Sequence, residues 1–430
     1  MNQAEPEFAR RKPELLAPGG SLDKCRIAFA YGADAVYASG KDFGLRGFAH
    51  NLDLEELAAA VFIAHRFGKK VYITVNVFAR EHDLKKLPPY LEYLQDLGID
   101  AVIVSDPGVL LLARKYAPGI PVHLSTQANT TNSASVEFWQ EQGVSRINLA
   151  RELSFDELAE IRGKTGAEIE IFVHGAMCMS YSGRCLMSAM LNNRSANSGF
   201  CTQPCRWSYG LVEEKRPGQF FPVEEDARGT YIFNSKDLCL IEEIGRLSAL
   251  VIDSFKIEGR MKAPLYLASV TRAYRQAIDA AAENGRAFTV EPSWMDDLNR
   301  ISHRPYTKGI LFQGAAPGAS DVSTDVSYIQ THTLAGLAHP YPSGDIPGNG
   351  TGRQDGSGKI LLETRSRIFA GSELEFLDPG GLSRLHRLDA FEDMNGNLLT
   401  ETHPNRWIRF SVDFPVFPFQ VVRIGKNQIA

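Results

Sequence analysis

The stretch ELLAPGGSLDKCRIAFAYGADAVYASG (14–40) decides the fold. ELLAP is a short apolar run that ends in Gly19-Gly20, which reads as a strand followed by its turn. LDKCRIAFAYG carries apolar residues at helical spacing and stops at Gly32. ADAVYASG (33–40) is the next strand. The same strand–loop–helix alternation continues outward along the chain. LDLEELAAAVFIAHRFG (52–68) is an amphipathic helix opened by Asp53 and closed by Gly68, and KKVYITVNV (69–77) is a third strand. A helix in LPPYLEYLQDLG leads to the strand IDAVIVSDPG (99–108), and a helix in VLLLARKYAP to the strand IPVHLSTQAN (120–129). SASVEFWQEQG precedes VSRINLAREL (144–153), and SFDELAEIRGKTG precedes AEIEIFVHG (167–175). A helix around Asp237–Leu247 then leads to IDSFKIEGRMK (252–262), and APLYLASVTRAYRQAIDAAAENG (263–285) closes the series as a helix.

Eight apolar strands alternating with helices over about 270 residues predict an α/β chain built as a (β/α)8 TIM-like barrel. A doubly wound open sheet is the alternative. It fits less well, because no glycine-rich phosphate turn follows the first strand. The layout expected is a barrel over 1–290 carrying a cysteine-rich insertion at 175–235, after strand seven, and then a connector at 291–314. Beyond it, short alternating runs between turns predict a small antiparallel β-barrel at 315–430. In a barrel the insertion falls on the C-terminal face, where active sites are built.

Composition narrows the class. The chain has 430 residues, 44% of them hydrophobic, and a formal net charge of −5, so no global field draws nucleic acid and an RNA site would need a local basic patch. No apolar run is long enough to span a bilayer, and the polar start MNQAEPEFARRKPE lacks the apolar core of a signal peptide. A soluble, cytoplasmic protein with no membrane partner is expected. Four of the six cysteines, Cys178, Cys185, Cys201 and Cys205, fall in one stretch, and Cys239 follows shortly after. Gathered soft thiolates suit zinc or an iron–sulfur cluster. Disulfides would require an oxidising compartment. Cys25, on an amphipathic helix, reads as a small buried hydrophobe.

Strand ends supply the other candidates. His174 closes strand seven beside the first cysteine, and Glu258 and Arg260 close strand eight. A satisfied structural histidine and a rim ion pair are the plain readings. The functional ones are a catalytic group and an arginine fork that grips a carboxylate or phosphate. Asn76, Gln127 and Asn129 close strands three and five, and Arg46 and Arg151 follow strands two and six. Each is read as a substrate contact, against a loop-stabilising or solvated alternative. Arg365, Arg367, Arg384, Arg387, Arg406, Arg409 and Arg423 crowd the C-terminal domain as a possible phosphate-tracking patch, unless Glu363, Glu373, Glu375 and Asp378 balance them. No nucleophile elbow and no HExxH are present.

Several motifs together resemble peptidase family U32: APGG (17–20), GADAVY (32–37), FVHGAMCMSYSGRCLMS (172–188), CTQPCRW (201–207), NSKDL (234–238), SFKIEGRMK (254–262) and SHRPYTKG (302–309). The resemblance covers nearly the whole chain. For members with this length and a small C-terminal β-domain it implies an RNA-modifying hydroxylase. Such an enzyme places a hydroxyl on C5 of the wobble uridine of tRNA, with prephenate as the implicated hydroxyl source. It also implies a [4Fe–4S] cluster held by Cys178, Cys185, Cys201 and Cys239, with Cys205 as the alternative fourth ligand and zinc as the alternative metal. On this reading His174, Glu258 and Arg260 are catalytic. Arg46, Asn76, Gln127, Asn129 and Arg151 bind substrate, the arginines lining the mouth for a small carboxylic acid. Two other functions stay open: a collagenase-like peptidase, in which Cys178 and His174 would have to be the nucleophile pair, and a non-catalytic RNA-binding scaffold holding a structural cluster.

Overall fold

A computed structural model describes residues 12–41, 43, 51–177, 211–212, 220–221, 234–313, 322–323, 328–341 and 358–429. Cys178, Cys185, Cys201, Cys205 and Arg46 lie outside the described residues.

The alternation in the sequence becomes eight strand–helix pairs. The strands are β1 (Glu14–Pro18), β2 (Ala35–Ala38), β3 (Lys70–Val75), β4 (Ala101–Val104), β5 (Val122–Leu124), β6 (Arg146–Asn148), β7 (Glu168–Ala176) and β8 (Ser254–Ile257). The helices are α1 (Leu22–Ala30), α2 (Leu54–Arg66), α3 (Leu87–Leu97), α4 (Pro107–Tyr116), α5 (Ser133–Glu141), α6 (Phe155–Lys164), α7 (Ile244–Ala249) and α8 (Pro264–Asn284). Local chemistry marks where helices begin. Ser21 caps α1 by accepting the Lys24 N–H, and Asp53 with Glu56 and Ser154 with Glu157 form reciprocal capping boxes on α2 and α6. Neighbouring strands pair in parallel from β1 to β8, and β8 pairs back to β1, so the sheet closes into a barrel.

The barrel interior has two unlike halves. Leu16, Ala35, Tyr37, Tyr72, Ala101 and Ile103, from β1–β4, form an inner apolar cluster. On the β6–β8 side Arg146 pairs with Glu14 and lies 3.7 Å from Glu170, whose other oxygen accepts from Lys256 Nζ at 2.7 Å. Asn148 Nδ2 donates to Glu170 at 3.0 Å, and the Tyr72 hydroxyl donates to Glu14 at 2.7 Å. The larger apolar core lies outside the barrel, between strands and helices.

One expectation is corrected here. The Asp237–Leu247 segment predicted as a single helix begins as a strand, Asp237–Cys239, and turns helical only after a 3-10 turn at Ile241–Glu243. That strand runs antiparallel to the end of β7, with Asp237 opposite Ala176 and Cys239 opposite His174, and it pairs in parallel with Tyr306–Thr307. Its anchor is Asp237, which takes the Arg304 guanidinium at 2.7 Å and the Arg304 backbone N–H at 3.1 Å, with both side chains buried. Burial alone would raise the Asp237 carboxyl; Arg304 holds it below the ordinary value.

After α8, helix α9 (Pro292–Arg300) leads to an eight-stranded antiparallel sheet. Its six main strands are β9 (His332–Pro340), β10 (Lys359–Thr364), β11 (Ser372–Phe376), β12 (Arg384–Leu388), β13 (Trp407–Ser411) and β14 (Gln420–Gly425). The order is β12-β11-β14-β9-β10-β13, extended by Phe391–Glu392 and Leu398–Leu399. The sheet curls into a half-barrel: His386 on β12 stacks on Phe410 of β13 with ring centroids 5.4 Å apart, although four strands separate them in the sheet. This domain docks on α1, α8 and α9. The Tyr31 hydroxyl bonds to the Leu377 carbonyl at 3.0 Å and accepts the Val421 N–H at 2.9 Å. Asp297 receives Arg272 at 2.6 Å on one oxygen and Arg423 at 2.9 Å on the other, and Arg423 also pairs with Glu375. No helix among the described residues is long and apolar enough to cross a membrane.

Asp297 therefore faces two buried guanidinium groups that have little access to water. Asp297→Ala is expected to cost about 3–5 kcal/mol, because it takes from buried Arg272 its carboxylate partner and from buried Arg423 one of its two. Arg387→Ala removes an exposed pair with Asp389 and is expected to change stability by no more than about 0.5 kcal/mol. Urea unfolding of the two variants checks the contrast, and equal midpoints would refute it.

Candidate active site at the barrel mouth

The inward parity of β8 runs from Lys256 through Glu258 to Arg260, so two charged groups rise from the ionic floor into the mouth. The Tyr37 hydroxyl reaches Glu258 Oε2 at 3.1 Å and the Ile257 carbonyl at 3.0 Å. Arg260 is buried and reaches across to β3, donating to Thr74 Oγ1 at 3.2 Å. Close packing of strand ends depends on glycine at two points. A Cβ at Gly20 would stand 2.4 Å from the Arg260 carbonyl oxygen. One at Gly175, whose φ is +110°, would stand 2.5 Å from the Glu258 carbonyl oxygen.

Uncharged groups form another wall of the mouth. Asn76 Nδ2 donates to Gln127 Oε1 at 2.7 Å, and the Ser125 hydroxyl donates to the same oxygen at 3.2 Å. Asn129 ends the 3-10 turn Thr126–Ala128 in the left-handed region, and its Oδ1 is buried without a partner among the described residues. Arg151 donates to the Ala176 carbonyl at 2.9 Å and lies over the Phe172 ring at 4.9 Å. The structure thus brings Glu258, Arg260, Asn76, Gln127, Asn129 and Arg151 to one end of the barrel.

His174 points elsewhere. The β7–β8 register shifts between Lys256 and Ile257, so Val173 is skipped, and the imidazole that simple alternation would aim inward faces α8. Its ring centroid lies 5.9 Å from Tyr266, 5.4 Å from Tyr274 and 5.5 Å from Tyr306. The Tyr274 hydroxyl sits 2.8 Å from the Val173 carbonyl, 3.0 Å from the Leu240 N–H and 3.3 Å from His174 Nδ1. With the phenol proton on Val173, Nδ1 is the donor and Nε2 is a bare lone pair. That Nε2 is buried without a partner among the described residues. Burial pushes the His174 imidazole down to about 3. Opposite it, Cys239 is buried, its Sγ is 3.8 Å from the Tyr274 hydroxyl, and burial pushes its thiol up to about 11.

Tyr37, Thr74, Ser125 and the Arg146–Glu170–Lys256 set are not among the residues picked out from sequence. The available signal was parity: Tyr37, Thr74 and Lys256 lie on inward positions of their strands. The C-terminal arginines are mostly occupied: Arg365 by Glu363, Arg367 by Glu401, Arg387 by Asp389, Arg409 by Glu392 and Arg423 by Glu375.

His174 also makes a prediction about acid. Unfolded, it takes up a proton below its ordinary value of 6.5; folded, it resists protonation down to about 3. Its contribution to stability is therefore present above pH 6.5 and is lost as pH falls through that window. The melting temperature is expected to drop between about pH 7 and pH 4.5, and His174→Phe to flatten the drop. An unchanged slope in the variant would sink this assignment.

Comparisons with known proteins agree with this architecture. The model of "Peptidase family U32" matches residues 20–320, and that of "Peptidase family U32 C-terminal domain" matches residues 345–423. The chain is 37% identical over 418 residues to tRNA hydroxylation protein P1 of Bacillus subtilis, covering 97% of this chain and 96% of that one. It is 42% identical over 410 residues to tRNA hydroxylation protein P of Escherichia coli, covering 86% and 87%. It is 38% identical over 270 residues to the 23S rRNA 5-hydroxycytidine C2501 synthase of Escherichia coli, covering 63% of this chain and 40% of that one. With a family model spanning most of its length and relatives this similar, the chain belongs to peptidase family U32.

Proposed function

We propose that this protein is an RNA hydroxylase acting on tRNA, which installs a hydroxyl on C5 of the wobble uridine and draws it from a small carboxylic acid such as prephenate. The observation that carries the reading is end-to-end similarity to proteins named for tRNA hydroxylation, together with a barrel mouth that holds a buried arginine, a carboxylate and an amide wall. Anticodon bases can be splayed out of their loop, so one uridine can enter the mouth. Arg260 is suited to grip a carboxylate. Glu258, its Oε2 bonded to the Tyr37 hydroxyl, supplies a carboxylate at the same opening that is able to hold or move a proton. Against a peptidase stands His174, whose imidazole is packed among tyrosines outside the barrel, where a nucleophile at the mouth would not meet it.

A [4Fe–4S] cluster fits the donor chemistry. Cys178, Cys185, Cys201 and Cys239 would supply four soft thiolates to it. Cys239 stands against the end of β7, from which the cysteine stretch departs, and the buried lone pair of His174 lies beside it. When bound, the cluster would supply one-electron redox chemistry.

Protein purified without air is expected to contain about four iron and four sulfide per chain. Cys185→Ala should lose them and Cys25→Ala keep them. One zinc and no labile sulfide would replace the cluster with a zinc site, and retention in Cys239→Ala would move the fourth ligand to Cys205. Deleting the gene is expected to remove 5-hydroxyuridine-derived nucleosides from bulk tRNA, read by mass spectrometry. Arg260→Ala should lower hydroxylation by at least about 100-fold while tRNA binding persists. Unchanged tRNA nucleosides, with gelatin cleavage that dies in Cys178→Ser, would reverse the reading in favour of a peptidase.

A further inference from the structure

We infer that Gln127 is a specificity-determining residue: its carboxamide N–H faces the mouth and selects a pyrimidine with a carbonyl oxygen at C4, uracil over cytosine. This rests on the reading that one base of an RNA enters the barrel mouth.

The orientation of the Gln127 amide follows from where its protons must go. The Gln127 backbone N–H donates to Ser125 Oγ at 3.4 Å, so the Ser125 hydroxyl proton is free to point at Gln127 Oε1, 3.2 Å away. Asn76 Nδ2 donates to the same Oε1 at 2.7 Å. Both lone pairs of that oxygen are thereby engaged, and the Gln127 amide cannot turn over by itself, because Nε2 would then face the Asn76 Nδ2 donor. The backbone from which the Asn76 side chain rises is anchored, because its carbonyl accepts the Ser105 hydroxyl at 2.9 Å. Gln127 Nε2 is left with two N–H groups and no partner among the described residues, on a half-buried side chain at the rim. Arg260 lies on the same side, bonded to Thr74 two residues before Asn76 on β3.

A fixed amide donor discriminates by chemistry alone. Uracil presents an acceptor oxygen at C4, and cytosine presents an amino donor there. The first makes a hydrogen bond with Nε2, whereas the second leaves two donors facing each other and unsatisfied. C4 adjoins C5, so the same contact fixes the carbon on which the proposed hydroxylation occurs.

Gln127→Glu separates this role from a merely structural one. A carboxylate keeps an oxygen for Asn76 and Ser125 and replaces only the outward N–H by an acceptor. Dissociation constants are measured with the full-length, anaerobically purified holoprotein and anticodon stem-loop RNAs that differ only in U or C at the wobble base. Wild type is expected to prefer U by roughly 5- to 100-fold, the range of one good polar base contact. Q127E is expected to lose or invert that preference. Gln127→Met, which carries no polar group there, is expected to bring the ratio near one and serves if Q127E does not fold. RNA bound tightly but equally in both forms by wild type, or a full U preference retained in Q127E or Q127M, overturns the assignment of Gln127 and leaves the RNA reading standing. No binding of either stem-loop, with tRNA nucleosides unchanged on gene deletion, overturns both.

Discussion

Inside the barrel, Arg146 and Lys256 are sealed against Glu14 and Glu170, and the rest of the molecule is built around that constraint. Each of these ions loses several kcal/mol of hydration on burial, which mutual attraction offsets only when the geometry is held closely. The holding falls to β1, β6, β7 and β8, which carry the four groups, and to Tyr72, Asn148 and Ser254, which satisfy the remaining lone pairs. A one-residue slip of any of these strands would turn an ion out of the interior. The ionic half is therefore a register lock as well as a floor. Glu258 and Arg260 stand above Lys256 on the same strand face and inherit its rigidity, which chemistry at a strand end requires.

What the sequence disclosed and what it hid divide along the range of the interactions. Strands, helices and their caps depend on neighbours within a few residues, so the alternation from Glu14 to Asn284 and the stops at Gly32 and Gly68 could be read directly. Asp237–Cys239 could not, because it is a strand only by virtue of β7 and of Arg304, both far away in the chain. Its composition alone suits the helix that follows. His174 was recognisable as a strand-end residue, but its direction depends on one skipped residue opposite β8. The amide wall was legible as three separate residues at strand ends. That Asn76 and Gln127 meet across β4 was not, since no local pattern encodes the contact.

The arginines of the C-terminal domain show the same limit from the other side. Their number suggested a surface for phosphates, yet Arg367, Arg409 and Arg423 meet carboxylates from other strands or from α9, and Arg365 and Arg387 meet carboxylates two residues away. Arg423 looks from sequence like any strand arginine, and it is the most buried of the seven. It joins Glu375 within its own sheet to Asp297 on α9, and Asp297 passes the contact on to Arg272 of α8. Leu337, Leu377 and Val421 belong to the same apolar core as the barrel helices. The half-barrel keeps a core of its own, but its seam with the barrel joins the barrel's apolar core and one buried charge network, so the half-barrel is part of what stabilises α8, and through α8 the tyrosines around His174.

Those tyrosines stand at a junction between the two chemical sides of the molecule. Cys239 pairs with His174 across one edge of β7, and the His174 carbonyl accepts the Glu258 N–H at 2.8 Å across the other. Gly175, the next residue, admits the Glu258 carbonyl at a distance no side chain would permit. A cysteine outside the barrel and a carboxylate at its mouth are thus one residue apart through backbone contacts, with no flexible side chain between them. The Asp237–Arg304 pair fixes the outer strand and the closed barrel fixes the inner one. Little slack remains at His174, through which backbone pairing, a hydrogen bond and a close carbonyl contact join Cys239 to Glu258. The bulge that turns the His174 ring outward also keeps the mouth clear: an inward imidazole at that position would occupy the space beside Glu258 and Arg260.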